Sequence, residues 1–296
     1  MSLERRTLRY GMSEGVPLHA DVIGAGSAPD RRPCVMWIHG GGLIFGSRTI
    51  SPRPFFTGAL VERGFVVVSI DHRLAPETKL PAIVDDVAAA WRWIHEAGPD
   101  LFGVDPARVC VAGASAGAYL SLTMGHLGTP RPRAVASLWG FGDITAPWEA
   151  EPSAHYRQAP LVEHADALAS LALTPVSTAD GNDRSRFYLH CRQQGLWLPE
   201  VTGHDWPQDA AWFEPWCPLR RIDAAYPPTV LVHGRDDTDV PASESDALAE
   251  RMRALGVPHA YHALPGVGHG FAGATTEQAQ AIETAVAEFL RVHAAA

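Results

Sequence analysis

Short apolar runs alternate with longer stretches of helical periodicity along most of the chain. Two shorter, more polar runs at residues 7–10 and 18–23 are typical of an antiparallel sheet edge. The later runs are apolar as buried parallel strands are, and they lie at residues 34–39, 65–70, 109–112, 134–139 and 229–233, with a more alternating run at 259–264. Helical patterns fill the gaps at residues 54–63, 81–97, 116–127, 242–255 and 277–292. The pattern predicts an α/β fold with a mostly parallel central sheet flanked by helices.

Residues 143–223 interrupt this alternation, with helical stretches and no clear strand. A segment of this length is too long for a plain loop. We therefore expect an inserted, mainly helical cap at residues 143–223, set between core segments 1–142 and 224–296. Five tryptophans lie in the expected cap, namely Trp148, Trp197, Trp206, Trp212 and Trp216. They favour an apolar or aromatic substrate pocket, although tryptophans also build small cores.

The charge balance restricts the partners of the protein. The 296 residues include 24 Lys and Arg against 33 Asp and Glu, a formal net charge of −9. Without a clustered basic stripe, this acidic balance excludes nucleic acid as a partner. The longest strongly apolar run, residues 65–70, is far shorter than the ~20 residues of a membrane span. Because no apolar signal segment follows the first residues, we expect a cytoplasmic protein that does not enter a membrane.

The four cysteines indicate neither a metal site nor a disulfide framework. Cys34 and Cys110 lie in apolar runs, where a free thiol behaves as a small hydrophobic group. No pair of cysteines, and no cluster of cysteine and histidine, has the spacing of zinc ligands. Cys191 and Cys217 could pair, but their spacing alone does not establish a bond.

The string G-A-S-A-G at residues 113–117 stands between a predicted strand and a predicted helix. In this context G-x-S-x-G is typical of a sharp turn that raises a serine hydroxyl above the sheet. The flanking glycines allow close packing of the turn, and the start of the helix favours developing negative charge. Ser115 is therefore the predicted nucleophile.

The string H-G-G-G at residues 39–42 follows another buried strand. Three glycines there let backbone amides approach a ligand, which indicates an oxyanion hole for acyl transfer. The alternative is a glycine-rich turn that binds phosphate, but neither a Walker lysine nor a dinucleotide fingerprint accompanies it. We interpret His39 as a structural side chain that holds the loop.

A hydroxyl nucleophile needs a base, and the base needs an orienting acid. His269 lies in a glycine-rich loop just after the last strand, whereas His262 lies within that strand and is interpreted as structural. The acid is expected in the loop after the strand at 229–233. Asp237 holds the H-G-x-x-D position, where the chain can turn back toward His269, and we choose it over Asp236 and Asp239.

These motifs resemble those of the α/β-hydrolase superfamily, nearest to the hormone-sensitive-lipase-like carboxylesterases. The matching strings are H-G-G-G at 39–42, D-H-R-L-A-P-E at 71–77, G-A-S-A-G at 113–117 and G-H-G-F at 268–271. The chain departs from the family at Ala114, where the family usually has Asp. The family's N-terminal helical cap segment is expected to be short or missing, since the predicted strands begin by about residue 7. Its acid motif, H-G-x-x-D-x-x-V-P, is similar to that of dienelactone hydrolases and prolyl oligopeptidases.

The resemblance implies an α/β-hydrolase fold over the whole chain and a role for each motif. The catalytic triad would be Ser115, Asp237 and His269, and the oxyanion hole would consist of the amides of Gly41, Gly42 and Ala116. The charged groups of the segment 73–77 would be structural, packing the loop beside the oxyanion turn.

Together these observations predict a serine hydrolase that cleaves small-molecule carboxylic esters, with apolar or aromatic substrates, through an acyl-enzyme intermediate. No cofactor and no metal are required. The same residues would serve an amidase, formamidase or exopeptidase, since ester and amide hydrolysis use the same groups. A catalytically silent ligand receptor on the same fold is a further alternative, but ligand binding does not require the complete Ser, Asp and His set. No oligomeric state is predicted.

Overall fold

The structure is a computed structural model that describes residues 4–25, 31–49, 54–172 and 174–295, without the side chains of residues 54, 182 and 183. In this part of the chain, eight strands form one sheet. The strands are β1 (Arg5–Ser13), β2 (Val16–Ile23), β3 (Arg32–Ile38), β4 (Val66–Ile70), β5 (Val104–Ala114), β6 (Val135–Leu138), β7 (Thr229–Gly234) and β8 (His259–Leu264). Their order is β1-β2-β4-β3-β5-β6-β7-β8. Strand β2 runs antiparallel to both of its neighbours, and the other neighbouring pairs are parallel. The predicted antiparallel edge and parallel centre are confirmed.

Helices connect the strands and cover both faces of the sheet. They are α1 (Pro54–Glu62), α2 (Leu80–Glu96), α3 (Gly98–Phe102), α4 (Ala116–Leu127), α5 (Pro147–Ala150), α6 (His164–Leu168), α7 (Gly181–Gln194), α8 (Trp197–Thr202), α9 (Ala210–Phe213), α10 (Pro218–Arg221), α11 (Ser243–Ala254) and α12 (Thr276–Ala295). The helices α1 and α12 pack on one face, and α2, α4 and α11 pack on the other. The predicted helices of the core differ from these only by a few residues at their ends.

The side chains of β3 explain why its sequence is apolar throughout. Met36 and Ile38 face the core beneath α2 and α4, whereas Val35 and Trp37 face the core beneath α1 and α12. Successive side chains of a strand point to opposite faces, so a strand covered on both faces needs apolar residues at every position.

The connection between β6 and β7 holds the segment that interrupts the sequence pattern. In its described residues, the segment 143–223 contributes no strand to the sheet and forms α5 to α10. An isolated bridge joins Ala179 to Gly46, near the glycine-rich string. The four cysteines are buried free thiols, so Cys191 and Cys217 do not pair. Among the helices of the described residues, none combines the length and the apolar character needed to span a membrane.

Candidate active site

Ser115 occupies the sharp turn between β5 and α4. Its backbone has φ 55° and ψ −124°, a left-handed conformation that a residue other than glycine rarely adopts. The Ser115 N–H donates to the carbonyl oxygen of Leu138 at 2.9 Å, which ties the turn to the end of β6. The strand, turn and helix predicted from the sequence are therefore present, with the serine at the turn.

The glycines on either side of Ser115 are required by close packing. A Cβ on Gly113 would overlap the backbone of Gly117, and a Cβ on Gly117 would overlap the carbonyl oxygen of Ile38 at the end of β3. The nucleophile turn thus packs directly against the strand that leads into the H-G-G-G string. This packing brings the two motifs together at one edge of the sheet.

The glycine-rich loop after β3 folds into a tight turn. Gly41 has φ 114° and Gly42 has φ 60°, and a Cβ on Gly41 would overlap the carbonyl oxygen of Phe45. The N–H groups of Ile44 and Phe45 donate to the Gly41 carbonyl oxygen at 2.9 and 3.0 Å. Since that carbonyl is held inside the turn, the loop has a fixed shape beside Ser115.

His39 supports this loop from beneath. Its Nδ1 forms a 2.8 Å hydrogen bond with the Gly40 carbonyl oxygen, and its ring stacks on His72 with centroids 4.4 Å apart. Both rings are buried, and burial lowers the pKa of His39 and lowers that of His72 to about 3. Two stacked rings in an apolar environment are most stable when both are neutral. His39 is placed as a structural side chain, as interpreted from the sequence.

His269 and Asp237 form a hydrogen-bonded pair on the loops after β8 and β7. His269 Nδ1 lies 2.8 Å from Asp237 Oδ2, and the Asp237 side chain is fully buried. The N–H groups of Asp239 and Val240 donate to Asp237 Oδ1, each at 2.9 Å. Asp237 therefore has a fixed orientation toward the imidazole.

The charges of this pair shift both pKa values. Burial alone would raise the pKa of Asp237, but hydrogen bonds from His233, His269 and Val240 lower it well below its usual range. Burial would lower the pKa of His269, yet the hydrogen bond to Asp237 and the charges of Asp239 and Asp237 raise it. The carboxylate is thus ionised and favours an imidazolium on His269.

The structure distinguishes the three acids of the D-D-T-D string by position. Asp237 contacts His269 Nδ1, Asp236 is exposed, and Asp239 lies near the opposite ring nitrogen, with Oδ2 3.7 Å from His269 Nε2. Of the three, Asp237 is therefore placed where an orienting acid must lie. The catalytic roles themselves remain predictions.

One cavity of about 260 Å³ brings most of the predicted site residues together. It is lined by Gly40, Gly41, Gly42, Phe45, Gly46, Ala114, Ser115, Trp139, Tyr188, Asp239 and His269. Ala116, the first residue of α4, is buried and directly follows Ser115. Asp237 does not line the cavity, but it is hydrogen-bonded to His269, which does.

The aromatic side chains of the cavity are not the expected tryptophans. None of the five tryptophans of residues 143–223 lines it; Phe45, Trp139 and Tyr188 do. Trp197 is buried and donates from Nε1 to the Gly42 carbonyl oxygen at 2.8 Å, so it supports the loop from behind. Trp148 lines a neighbouring cavity instead. The expectation that tryptophan content marks the pocket is thus wrong for this cavity, because most of these rings pack within their own segment.

The wall of the cavity contains a hydrogen-bonded group of three polar side chains, two of which the sequence analysis did not identify. Tyr188 Oη donates to Asp239 Oδ1 at 2.7 Å, and Arg192 Nη1 donates to the same oxygen at 2.8 Å. Both donors come from α7, about fifty residues before Asp239, and the chain gives no local signal for them. Asp239 itself was recognisable in the sequence as an acid of the loop after β7, but it was considered there only as a candidate orienting acid.

The charged residues of the segment 73–77 are structural, as the resemblance implied. Arg73 forms a buried ion pair with Asp86, with Nε 2.8 Å from Oδ2. Glu77 pairs with Arg184 of α7, with Oε1 2.6 Å from Nη2. Within the described part of the chain, no group of three or more His, Cys, Asp or Glu side chains is arranged to hold a metal ion.

Comparison with known proteins identifies the family of the chain. The sequence profile of the alpha/beta hydrolase fold family matches residues 35–273. The chain belongs to the α/β-hydrolase family. The family membership inferred from the motifs is confirmed, as is the α/β-hydrolase fold.

Similar proteins include synthases and esterases. The chain is 29% identical to the non-reducing polyketide synthase Preu6 of Preussia isomera over an alignment of 303 positions, which covers 91% of the chain and 14% of the synthase. It is 29% identical to the esterase LipC of Mycobacterium tuberculosis over 240 residues, 81% of the chain and 53% of LipC. The chain thus spans only part of the length of these relatives. The crystal structure of EstE1, a thermostable carboxylesterase from a metagenomic library, superposes with a TM-score of 0.71 at 26% identity, covering 98% of the chain and 89% of EstE1.

Proposed function

We propose that the protein is a serine hydrolase that cleaves carboxylic esters of small molecules through an acyl-enzyme intermediate. The observation that carries the proposal is the 2.8 Å bond between Asp237 and His269, together with the cavity that His269 shares with Ser115. An ionised acid, an oriented imidazole and a serine on a strained turn are the groups that acyl transfer requires. The similarity to an esterase and a carboxylesterase supports the same class.

In this mechanism Ser115 Oγ attacks the acyl carbonyl carbon while His269 Nε2 accepts the serine proton. Asp237 keeps the other imidazole proton on Nδ1 and stabilises the imidazolium. His269 Nε2 then donates its proton to the leaving alcohol, and the C–O bond to that alcohol breaks. Water attacks the acyl-enzyme by the same route and releases the carboxylic acid and free Ser115.

The amides of Gly41, Gly42 and Ala116 would stabilise the tetrahedral oxyanion. Support for this role comes from the fixed turn after β3, whose glycines line the cavity, and from Ala116 at the start of α4. Backbone donors placed before the reaction are effective because they need no reorganisation when charge develops.

Residues 143–223 are proposed to act as a cap over the core formed by residues 1–142 and 224–296. Tyr188 of α7 lines the cavity, and a Cβ on Gly42 would lie 2.5 Å from its ring, so this side chain packs on the oxyanion loop. The cap is therefore expected to influence which substrate is used rather than whether chemistry occurs.

Labelling with a fluorophosphonate tests the nucleophile. We expect the wild-type protein to be labelled at Ser115, and Ser115→Ala to lose both labelling and ester hydrolysis. The matched control is Ser121→Ala on α4, the helix that follows the turn, which removes a hydroxyl that donates to the Gly117 carbonyl oxygen. Labelling that persists in folded Ser115→Ala would contradict the assignment.

A substrate panel distinguishes ester from amide hydrolysis, which use the same triad. The panel compares p-nitrophenyl esters with the corresponding anilides and with N-formyl compounds at equal acyl length. We expect the largest kcat/KM for the esters. A larger kcat/KM for an anilide or an N-formyl compound would place the protein among the amidases or formamidases instead.

A further inference from the structure

The carboxylate of Asp239 is held rigidly at the wall of the active-site cavity. Its Oδ1 accepts hydrogen bonds from Tyr188 and Arg192, at 2.7 and 2.8 Å. Arg192 is buried, and its Nη2 donates to the Asp239 carbonyl oxygen at 3.1 Å. The side chain thus enters the cavity in one orientation, with 17% of its surface exposed.

The fold leaves part of this carboxylate for a ligand. A carboxylate offers about four acceptor positions, and the hydrogen bonds from Tyr188 and Arg192 both fall on Oδ1, which leaves Oδ2 to a ligand. Its Oδ2 lies 3.7 Å from His269 Nε2, beyond hydrogen-bond distance. Arg192 contributes no surface to this cavity, so a ligand here meets the carboxylate and not its guanidinium partner.

The chemistry of the triad identifies which part of a substrate lies beside Asp239. The leaving group receives its proton from His269 Nε2, so its oxygen must lie within hydrogen-bond distance of that nitrogen. Because Asp239 Oδ2 is only 3.7 Å from the same nitrogen, it stands next to the leaving alcohol rather than deep in an acyl pocket.

A second cavity begins on the other side of the same carboxylate. It has a volume of about 340 Å³ and shares Asp239 with the first. Its lining combines apolar side chains, such as Trp148 and Pro241, with polar ones that include Arg192. A leaving group that passes Asp239 therefore enters a space of mixed character in which it also meets Arg192, so a cationic group is favoured only on the side of Asp239 that faces His269. The carboxylate lies between the reacting atoms and this space.

We propose that Asp239 selects esters whose leaving alcohol carries an ammonium group, with an N–H, near the ester oxygen; this inference rests on the proposed ester hydrolysis. The substrate class is esters of 2-amino alcohols. An ammonium N–H placed there would donate to Asp239 Oδ2, whereas an anionic group would be repelled by it.

The test uses three acetate esters with the same acyl group and leaving alcohols of similar size. The alcohols are 2-(dimethylamino)ethanol, which is protonated at pH 7, neutral 3-methylbutanol, and anionic 3-hydroxypropanoate. Titration of the released acetic acid gives kcat/KM for each. We expect the wild-type protein to prefer the ammonium ester over the neutral ester by about 10-fold to 100-fold, the usual range for a hydrogen bond to a charged group, and to disfavour the anion.

Variants then assign the preference to Asp239. Asp239→Asn should lose most of it, whereas Asp236→Asn, which removes the same charge from an exposed neighbour, should keep it. Because Asp239→Asn leaves the buried Arg192 without a carboxylate, the double variant Arg192→Met/Asp239→Asn is tested as well, with folding checked by circular dichroism. It should also lose the preference.

The outcomes separate this inference from the proposed function. Equal kcat/KM for the ammonium and neutral esters in the wild-type protein would overturn the inference and leave ester hydrolysis intact. A preference that survives in the folded double variant would make Asp239 a structural ion-pair partner only. If none of the esters is hydrolysed and a fluorophosphonate does not label Ser115, the proposed function fails and the inference fails with it.

Discussion

Replacing Asp237 by asparagine is expected to remove most of the catalytic activity while preserving the fold. The Asp237 carboxylate accepts a hydrogen bond from the Nδ1–H group of His269, with Nδ1 2.8 Å from Oδ2, and its side chain is fully buried. The amide of asparagine has nearly the same shape, but it can present N–H to the ring nitrogen. The imidazole then carries its proton on Nε2, where it cannot accept the proton of Ser115.

The magnitude follows from this change of tautomer. In a serine protease with the same arrangement, the corresponding substitution lowers kcat by about 10⁴-fold with the geometry intact. The fold is affected less. The Asp237 pKa lies below its usual range, so the ionised group stabilises the native state above the unfolded-state pKa, and this contribution is lost as the pH falls. Losing hydrogen bonds to the charged group costs about 1–3 kcal/mol.

Steady-state hydrolysis of p-nitrophenyl acetate measures the effect, with circular dichroism as the check on folding. The matched control is Asp236→Asn, which removes an exposed acid one residue away and should stay within about twofold of the wild type. A larger loss in Asp236→Asn than in Asp237→Asn would show that the acid is assigned one residue too late. Retention of more than about a tenth of the activity in folded Asp237→Asn would refute the tautomer argument.

Three further predictions concern the loop, the base and a buried acid. Gly41→Ala should lower kcat about 10²-fold to 10³-fold, since its Cβ would displace the oxyanion loop, whereas Gly58→Ala, whose Cβ meets nothing within 4 Å, should leave kcat unchanged. The kcat/KM should rise with pH as His269 loses its proton, with a midpoint above the ordinary histidine value because the pKa of His269 is raised. Asp239→Asn should move that midpoint to lower pH, because the charge of Asp239 contributes to the raised pKa. An unmoved midpoint would contradict the contribution of Asp239. Burial raises the pKa of Glu149 to about 8, so between about pH 5 and 8 the folded protein keeps a proton that the unfolded chain has already lost, and the contribution of Glu149 to stability falls over that range. Denaturant unfolding should therefore show Glu149→Gln gaining stability relative to the wild type as the pH rises from 5 to 8, and a constant difference would contradict the raised pKa.

The parts of the site that the sequence predicted are those encoded by short strings at the ends of strands. The turn around Ser115 needs glycines at fixed offsets, and the loop at 39–42 needs backbone with positive φ, so each leaves a local pattern. His269 and Asp237 follow β8 and β7 directly, and the carboxyl ends of parallel strands meet at one edge of the sheet. The predicted strand positions and the local strings that follow them were therefore sufficient to predict that these residues lie at one edge of the sheet.

The other wall of the cavity could not be predicted in this way. Tyr188 and Arg192 belong to α7, and their approach to Asp239 depends on how a helix without a strand partner docks on the core. Trp139 lines the cavity because its backbone turns at φ 42° directly after β6, a conformation that no local string announces. Composition likewise does not tell which face of a segment a tryptophan occupies; Trp212 packs against Trp216.

In the proposed mechanism, the backbone of Asp239 helps to orient the base, whereas its side chain recognises the substrate. Asp239 orients Asp237 through its backbone N–H, which donates to Oδ1 at 2.9 Å, and it faces the cavity through its side chain. A substitution at position 239 therefore removes the carboxylate but keeps the backbone hydrogen bond, provided that the replacement is not proline. Substrate preference can consequently change at this position without loss of the hydrogen bond between Asp237 and His269. By the same reasoning, no side chain at position 237 other than a carboxylate can meet the requirements of both the loop amides and the imidazole.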